Sequence, residues 1–310
     1  MTAGLERAAE DYLAVRRSFG YKLQGYDRLL ADLCAWLGRA GLDTVRADVA
    51  LAWAVSPGTS EAWHAERLSA VRGFAAYLHA LDPRCEVPPR CPTLARRRRV
   101  PPHIYTEDEI AALMAAARLM SPPLRAATFE TLIGLLAVTG MRSGEALRLD
   151  RGDVDLEGGT VTVLATKFNK SRALALHPTT IAVLAAYTDA RSGRWPRPRT
   201  TAFFVSNSGG RLGPSSLYAG FGQMLGQAGL IPPAGSRRRR PRPHDLRHRF
   251  AVATLLEWYR GDQDVQALLP SLSAWLGHSQ PKDTYWYLSA VPELLTAASE
   301  RAQRRRSQPR

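Results

Sequence analysis

The sequence predicts a mainly α-helical protein that contains one small antiparallel β-sheet. Apolar residues recur about every 3.6 positions along most of the chain, a spacing that indicates amphipathic helices. One stretch departs from it: "DVDLEGGTVTVLATKFNKSRALAL" alternates apolar and polar residues around polar turns, which predicts short paired strands. A chain of 310 residues is long enough for about two domains.

Residues 1–82 are predicted to form a helical domain of four or five helices. In "LERAAEDYLAVRRSFGY" the residues Leu5, Ala9 and Leu13 fall on one helical face. The stretch "YDRLLADLCAWLGRAG" repeats this pattern and ends at a glycine. A third stretch, "EAWHAERLSAVRGFAAYLHAL", has an apolar stripe in which Trp63 is expected to be buried.

Residues 83–102 are predicted to be a basic linker rich in proline and arginine. Its prolines rule out a regular helix. Four successive arginines in an extended segment suit contact with phosphates, and the alternative is a solvated spacer. We expect phosphate contact from these four residues, Arg96, Arg97, Arg98 and Arg99.

Residues 103–310 are predicted to form a second domain, mainly helical, which contains the small sheet. Thr106 and Glu109 form a capping box at its first helix. A long apolar helix, "LRAATFETLIGLLAVTG", precedes the strands. Helical patterns return in "HPTTIAVLAAYTDA", "GPSSLYAGFGQMLGQAG" and "PHDLRHRFAVATLLEWY".

The charge balance points to a polyanionic partner. Lysine and arginine total 42 against 28 aspartates and glutamates, a formal net charge of +14. Such an excess usually marks a nucleic-acid-binding protein. The alternative is a compositional bias towards arginine that has no binding role.

The cysteines and the amino terminus predict a cytoplasmic protein. Cys34, Cys85 and Cys91 are odd in number and irregular in spacing, which argues against a disulfide framework and a zinc site. The start "MTAGLERAAEDYL" lacks the apolar segment of a signal peptide, and no apolar run reaches transmembrane length.

A set of basic and hydroxyl side chains in the second domain carries the candidate chemistry. Arginine presents a planar fork that matches phosphate oxygens, and histidine exchanges protons near neutral pH. A lysine can protonate a leaving oxygen, and a tyrosine hydroxyl can attack phosphorus. The motifs contain no carboxylate cluster suited to magnesium, so we expect metal-independent chemistry. The motifs are "TGMRSGE" with Arg142, "TKFNKSR" with Lys167, "HDLRH" with His244 and Arg247, "LGH" with His278, and "TYWY" with Tyr285 and Tyr287.

This ordered set resembles the tyrosine recombinases of the lambda-integrase and Xer type. The resemblance covers the whole chain and implies a helical core-binding domain followed by a catalytic domain. It implies strand cleavage and rejoining through a covalent 3′-phosphotyrosyl intermediate, without cofactor, metal or ATP. The implied catalytic residues are Arg142, Lys167, His244, Arg247, His278 and Tyr287.

The resemblance also implies partners and a biological setting. The substrate would be double-stranded DNA with inverted-repeat core sites. The active assembly would be a homotetrameric synaptic complex, or one formed with related recombinases. The setting would be DNA integration, excision or transposition by a mobile element.

Two assignments within the set have competitors. The family places its nucleophile nine residues after the histidine of "LGH", which selects Tyr287; Tyr285 would then be a packing residue. The turn "TKFNK" lacks the common flanking glycine, so Lys170 competes with Lys167 for the lysine role. The segment between "HDLRH" and "LGH" is also several residues longer than in common Xer members.

Two other functions are compatible with these residues. A type IB topoisomerase shares the nucleophile and its cationic surroundings, although the helical first domain and the small size favour a recombinase. A DNA-binding regulator that kept the fold and lost catalysis is the other alternative, but all six residues are present.

Overall fold

The computed structural model comprises two compact units, Met1–Val100 and Pro101–Arg310. Several predicted residues lie outside the part of the chain that it describes: Cys91, Arg96, Arg97, Arg98, Arg99, Lys167 and Lys170. The described residues are 2–23, 25–58, 61–90, 102–164, 171–236, 239–261, 263–278, 280, 282–290 and 292–307.

The first unit is a bundle of helices around an aliphatic and aromatic core. Leu30, Leu33, Trp53 and Phe74 are almost completely buried in it. Trp63 is 44% exposed, so the prediction of its burial was wrong: it lies at the start of its helix, before the buried stripe. The helices are α1 (Thr2–Ser18), α2 (Tyr26–Arg39), α3 (Ala47–Ala54) and α4 (Glu61–Leu81).

The second unit begins with helices that surround a very apolar central helix. The side chain of Thr106 accepts from the backbone N–H of Glu109, and the carboxylate of Glu109 accepts from the N–H of Thr106, as the capping box predicts. The helices in this part are α5 (Glu107–Arg118), α6 (Pro123–Thr139) and α7 (Ser143–Arg148). α6 is buried on several sides, which explains its largely apolar sequence.

A three-stranded antiparallel sheet follows, in the order β1-β2-β3. Val161 of β2 pairs with Leu174 of β3, and both are buried on the same face. The last pair of β2 and β3 is Val163 with Arg172. The strands are β1 (Val154–Asp155), β2 (Thr160–Val163) and β3 (Arg172–Ala175).

The remaining helices complete the unit with a second apolar cluster. Leu255, Leu269, Leu276 and Leu294 form this cluster together with one tyrosine, Tyr287. The helices are α8 (Pro178–Arg194), α9 (Pro214–Gln227), α10 (Asp245–Arg260), α11 (Val265–Leu276), α12 (Lys282–Ala290) and α13 (Pro292–Ser307). α13 packs against α10 of the same chain.

The predicted fold class is confirmed: the described residues are mainly helical and contain one small antiparallel sheet. Cys34 and Cys85 are free and buried. Within the described residues, no helix is both long enough and apolar enough to cross a membrane.

Candidate active site

Two glycines in the left-handed conformation end the helices that support the site. Gly140 follows α6 with φ 62°, and Gly277 follows α11 with φ 66°. A Cβ atom would lie 2.5 Å from a ring atom of Phe250 at Gly140, and 2.6 Å from Nη1 of Arg172 at Gly277. Both the backbone conformation and the space therefore require glycine. The carbonyls at these two helix ends bind the predicted arginines.

Arg247 is a buried arginine that joins the two helix ends. It lies in the first turn of α10 and is 2% exposed. Its Nη1 donates to the carbonyl of Gly140 at 2.9 Å, and its Nη2 donates to the carbonyl of Leu276 at 2.6 Å. Burial and then the nearby charge of Arg142 lower the pKa of Arg247 to about 10. The guanidinium remains positively charged at neutral pH.

Arg142 lies beside Arg247 at the start of α7. Its Nη2 donates to the carbonyl of Gly277 at 3.1 Å, and its Nη1 donates to Oε1 of Glu145 at 2.8 Å. Both arginines are thus bound to the turn formed by Leu276 and Gly277. Arg142 uses two N–H groups on the protein, and Arg247 contacts the Tyr287 hydroxyl besides its two carbonyls; each arginine retains further N–H groups for a ligand.

Glu145 is a carboxylate beside the predicted arginines that the sequence analysis missed. Its carboxylate is buried and also accepts from the backbone N–H of Arg142 at 2.9 Å and from Nη2 of Arg172 at 2.7 Å. Burial would raise the pKa of Glu145, but hydrogen bonds from Arg172 and Arg142 lower it to about 2. Arg172 also donates through Nε to the carbonyl of Trp275 at 2.7 Å. Glu145 therefore holds two arginines as a permanent anion.

His244 and His248 lie on one face of α10. His244 is the N-cap of the helix, and His248 follows four residues later, a spacing that places both side chains together. Their rings meet edge to face, with centroids 5.0 Å apart. Burial, followed by the charge of Arg247, lowers the pKa of His244 to about 4. His248 was not among the predicted residues.

His278 is held by a chain of hydroxyl groups. Its Nδ1 lies 2.7 Å from Oγ1 of Thr284, which lies 2.7 Å from Oγ of Ser273. Thr284 is completely buried. Burial and the charges of Arg247 and Arg142 lower the pKa of His278 to about 4. These contacts fix the imidazole plane next to the tyrosine of α12.

Tyr287 is the tyrosine that faces this cluster. It is 2% exposed, and its hydroxyl lies 3.0 Å from Nδ1 of His248. Its ring is nearly parallel to that of His278, with centroids 6.4 Å apart. Burial raises the pKa of Tyr287, and the charge of Arg247 opposes this rise. Tyr285, two residues earlier, is 45% exposed.

The structure therefore brings together five of the six predicted residues. Arg142, Arg247, His244, His278 and Tyr287 are linked to one another by shared contacts with the end of α11 and the start of α10. The sixth residue, Lys167, and its competitor Lys170 lie outside the described residues, between β2 and β3. The arrangement can place two fixed positive charges, several histidine nitrogens and one hydroxyl around a tetrahedral anion.

Comparison with known proteins identifies the class. Residues 104–293 match the family model described as the phage integrase family. This match covers more than half of the chain, so the chain belongs to the phage integrase family, the tyrosine recombinases. These are enzymes that break and rejoin DNA, and the resemblance seen in the sequence motifs is confirmed.

Individual relatives agree with the family assignment. The putative integrase/recombinase y4rB of Sinorhizobium fredii is 38% identical over 306 residues, which cover 96% of this chain and 97% of the relative. The tyrosine recombinase XerD of Caulobacter vibrioides is 28% identical over 94% of this chain and 92% of its own. The Tn1549 transposon integrase, solved with transposon right-end DNA, has a TM-score of 0.65 at 15% identity, over 95% of this chain and 98% of that one. At that identity the likeness shows the fold.

The three half-buried histidines predict that acid destabilises the protein. His244, His248 and His278 have pKa values of about 4, 3 and 4 in the folded chain, below the ordinary 6.5. Between pH 6.5 and about 4 the unfolded chain therefore binds more protons, and the free energy of unfolding falls as pH decreases. Each histidine contributes about 1.4 kcal/mol per pH unit.

Urea unfolding of the full chain at pH 7, 6 and 5 measures this effect. His278→Asn should make the free energy of unfolding less dependent on pH, by about the contribution of one histidine. His177→Asn is the matched control, since His177 is exposed and caps α8, and asparagine is also a good N-cap. An unchanged pH dependence in His278→Asn would contradict the expectation.

Proposed function

We propose that this chain is a site-specific recombinase that cleaves and rejoins DNA strands through a covalent 3′-phosphotyrosyl link on Tyr287. The observation that carries the proposal is the position of the Tyr287 hydroxyl. It lies beside a half-buried cluster of three histidines whose neighbouring arginines, Arg142 and Arg247, are held by main-chain carbonyls. A tyrosine that served packing alone would not need cationic groups around its hydroxyl.

In this proposal the two arginines bind the scissile phosphate. Carbonyl and carboxylate groups hold one side of each guanidinium, so the remaining N–H groups are already oriented when DNA arrives. Fixed donors stabilise the charge of the pentavalent intermediate without reorganising. His244 and His278 donate hydrogen bonds to the non-bridging oxygens. These groups supply positive charge without a metal, and the phosphotyrosyl bond conserves the energy for rejoining, so ATP is not needed.

We further propose that the two units share the work on DNA. Residues 1–82 would form the core-binding domain and residues 103–310 the catalytic domain. Arg96 to Arg99 of the linker would contact phosphates without reading bases. Relatives have been solved on DNA, among them the Tn1549 transposon integrase and lambda integrase, the latter as a dimer on a core site. By analogy we propose a duplex with inverted-repeat core sites, a tetrameric synaptic complex, a mobile-element setting and a cytoplasmic location.

Covalent trapping on DNA tests the proposed function. The substrates are nicked duplexes made from the sequences that flank the gene, since inverted repeats there would mark the ends of a mobile element. A recombinase should form a protein–DNA adduct that survives denaturation, and should then exchange strands between two sites. A topoisomerase would form the adduct and relax supercoils without exchange. DNA binding with no adduct on any of these duplexes would identify a silent regulator and contradict the proposal.

We expect Lys167 to protonate the 5′-oxygen that leaves when the strand is cut. Lys167→Ala should therefore cleave an ordinary duplex more slowly than the wild type, by a factor on the order of 10² to 10⁴, as expected for the loss of a general acid. A duplex with sulfur at the bridging 5′ position should restore the rate, because a thiolate leaves without a proton. Lys170→Ala is the matched control. If the sulfur duplex rescues Lys170→Ala and not Lys167→Ala, the role belongs to Lys170.

A further inference from the structure

We propose that His248 is a catalytic residue that takes the proton from the Tyr287 hydroxyl during cleavage and returns it during rejoining. This inference rests on the proposed role of Tyr287 as the nucleophile. It adds a residue that lies within the motif "HDLRH" but outside the six implied catalytic residues.

The geometry puts His248 at the reacting atom. Its Nδ1 lies 3.0 Å from the Tyr287 hydroxyl, within the range for direct proton transfer. The ring of Trp286 lies 5.7 Å from the His248 ring, and the ring of His244 lies 5.0 Å from it. These neighbours confine the imidazole on two sides. The contact joins α10 to α12, so it is a tertiary contact and not a consequence of local sequence.

The other two histidines are oriented towards different partners. Nδ1 of His278 is bonded to Thr284, and the His278 ring is nearly parallel to the Tyr287 ring. Among the contacts of the described residues, the histidine nitrogen within hydrogen-bond distance of the Tyr287 hydroxyl is Nδ1 of His248. The ring of His244 packs edge to face against the ring of His248. His248 thus contacts the nucleophile, whereas His244 and His278 can donate hydrogen bonds to the phosphate.

The protonation states before attack are a neutral His248 and a protonated Tyr287, as the transfer requires. Burial raises the pKa of Tyr287, so the hydroxyl carries its proton before attack. Burial and the charges of His244 and Arg247 lower the pKa of His248 to about 3. The imidazole is therefore neutral at pH 7, and Nδ1 can accept the hydroxyl proton when the other nitrogen carries the ring proton. A bound phosphate adds negative charge beside the cluster, which raises the basicity of the histidines.

Cleavage moves one proton to His248, and rejoining returns it. The Tyr287 oxygen forms a bond to phosphorus, its proton moves to Nδ1 of His248, and the bond from phosphorus to the 5′-oxygen breaks. The leaving oxygen takes a different proton, from the lysine assigned above. In rejoining, the 5′-hydroxyl attacks phosphorus, and His248 returns its proton to the departing tyrosine oxygen. Microscopic reversibility therefore requires that loss of His248 slow both directions.

Single-turnover cleavage of a nicked duplex by two variants tests the proposal. His248→Asn keeps a hydrogen-bond acceptor of similar reach but has no basicity, whereas His248→Ala removes both. Both should cleave more slowly by a factor on the order of 10² to 10⁴, with rates taken per DNA-bound protein. His177→Asn should cleave at the wild-type rate. A near-wild-type rate for His248→Asn would overturn the proposal, because His248 would then only position the tyrosine.

Two chemical changes, one to the attacking tyrosine and one to the leaving oxygen, distinguish a defect at the nucleophile from a defect at the leaving group. Replacing Tyr287 with 3-fluorotyrosine, a more acidic phenol, should restore part of the rate in His248→Ala. The 5′-sulfur duplex should give no rescue, since it corrects the leaving group and not the nucleophile; rescue by that duplex would overturn the proposal. If Tyr287→Phe still forms the adduct, the proposed function itself fails. If Tyr287→Phe is inactive and His248→Ala is fully active, only this inference fails.

Discussion

Tyr287→Phe should abolish covalent attachment to DNA while leaving DNA binding largely intact. The change removes the one atom that we expect to form the bond to phosphorus, so the loss should be complete and not a slower rate. Phenylalanine fills nearly the same buried volume, and the side chain is only 2% exposed. The lost hydrogen bond to His248 should cost about 1 kcal/mol of stability. The variant should therefore fold and bind.

Tyr285→Phe is the matched control for this prediction. Tyr285 is on the same helix, two residues away, and is 45% exposed. Its variant should give wild-type adduct in the trapping assay on a nicked duplex, and a mobility-shift assay should show equal DNA affinity for both variants. Loss of the adduct in Tyr285→Phe, together with its retention in Tyr287→Phe, would reverse the assignment.

The fold could be predicted because its signals are local. The stripes of α1, α2 and α4 and the capping box of α5 are each contained within a few turns of sequence, and the strand pattern is contained within one hairpin segment. Trp63 shows the limit of such a pattern. An apolar residue at helical spacing is buried only where a neighbouring element covers it, and the periodicity of one helix does not tell where its neighbours begin.

The choice between the two tyrosines depended on spacing, and the structure supplies an independent reason for it. A separation of two residues on a helix points the side chains to different faces. The sequence alone does not tell which face is covered. The structure shows Tyr287 in the apolar cluster formed by α10, α11 and α13 and Tyr285 outside it. The assignment of Tyr287 as nucleophile remains a proposal, now with a geometric basis.

The supporting residues could not be predicted, because their contacts join distant parts of the chain. Arg172 contacts Glu145 across 27 positions, and Arg142 contacts Gly277 across 135. Nothing in the local sequence of Glu145 shows that a second arginine approaches it. A signal for His248 was present: it lies four residues after His244, on the same helical face. Its contact with Tyr287, 39 positions away, required the structure.

Arg247→Lys and Arg142→Lys should each reduce the cleavage rate by a factor on the order of 10² to 10³, as expected for the loss of one preorganised donor. Arg247 bonds two carbonyls, at Gly140 and Leu276, through the two arms of one planar group. A lysine ammonium is a single point of charge on a flexible stem and cannot bond both carbonyls and a phosphate in the same geometry. A lysine in place of Arg142 could likewise not bond Glu145, the Gly277 carbonyl and a phosphate together.

Single-turnover cleavage, measured at saturating protein, isolates this effect from DNA affinity. Arg148→Lys is the control, since Arg148 is an exposed arginine at the end of α7 and should tolerate the change. The free energy of unfolding should fall more in Arg247→Lys than in Arg142→Lys, because the Arg247 side chain is buried and its carbonyl partners would lose a donor. The catalytic loss should nevertheless be similar in both variants if both arginines bind one phosphate. Near-normal cleavage by both lysine variants would count decisively against a shared phosphate site.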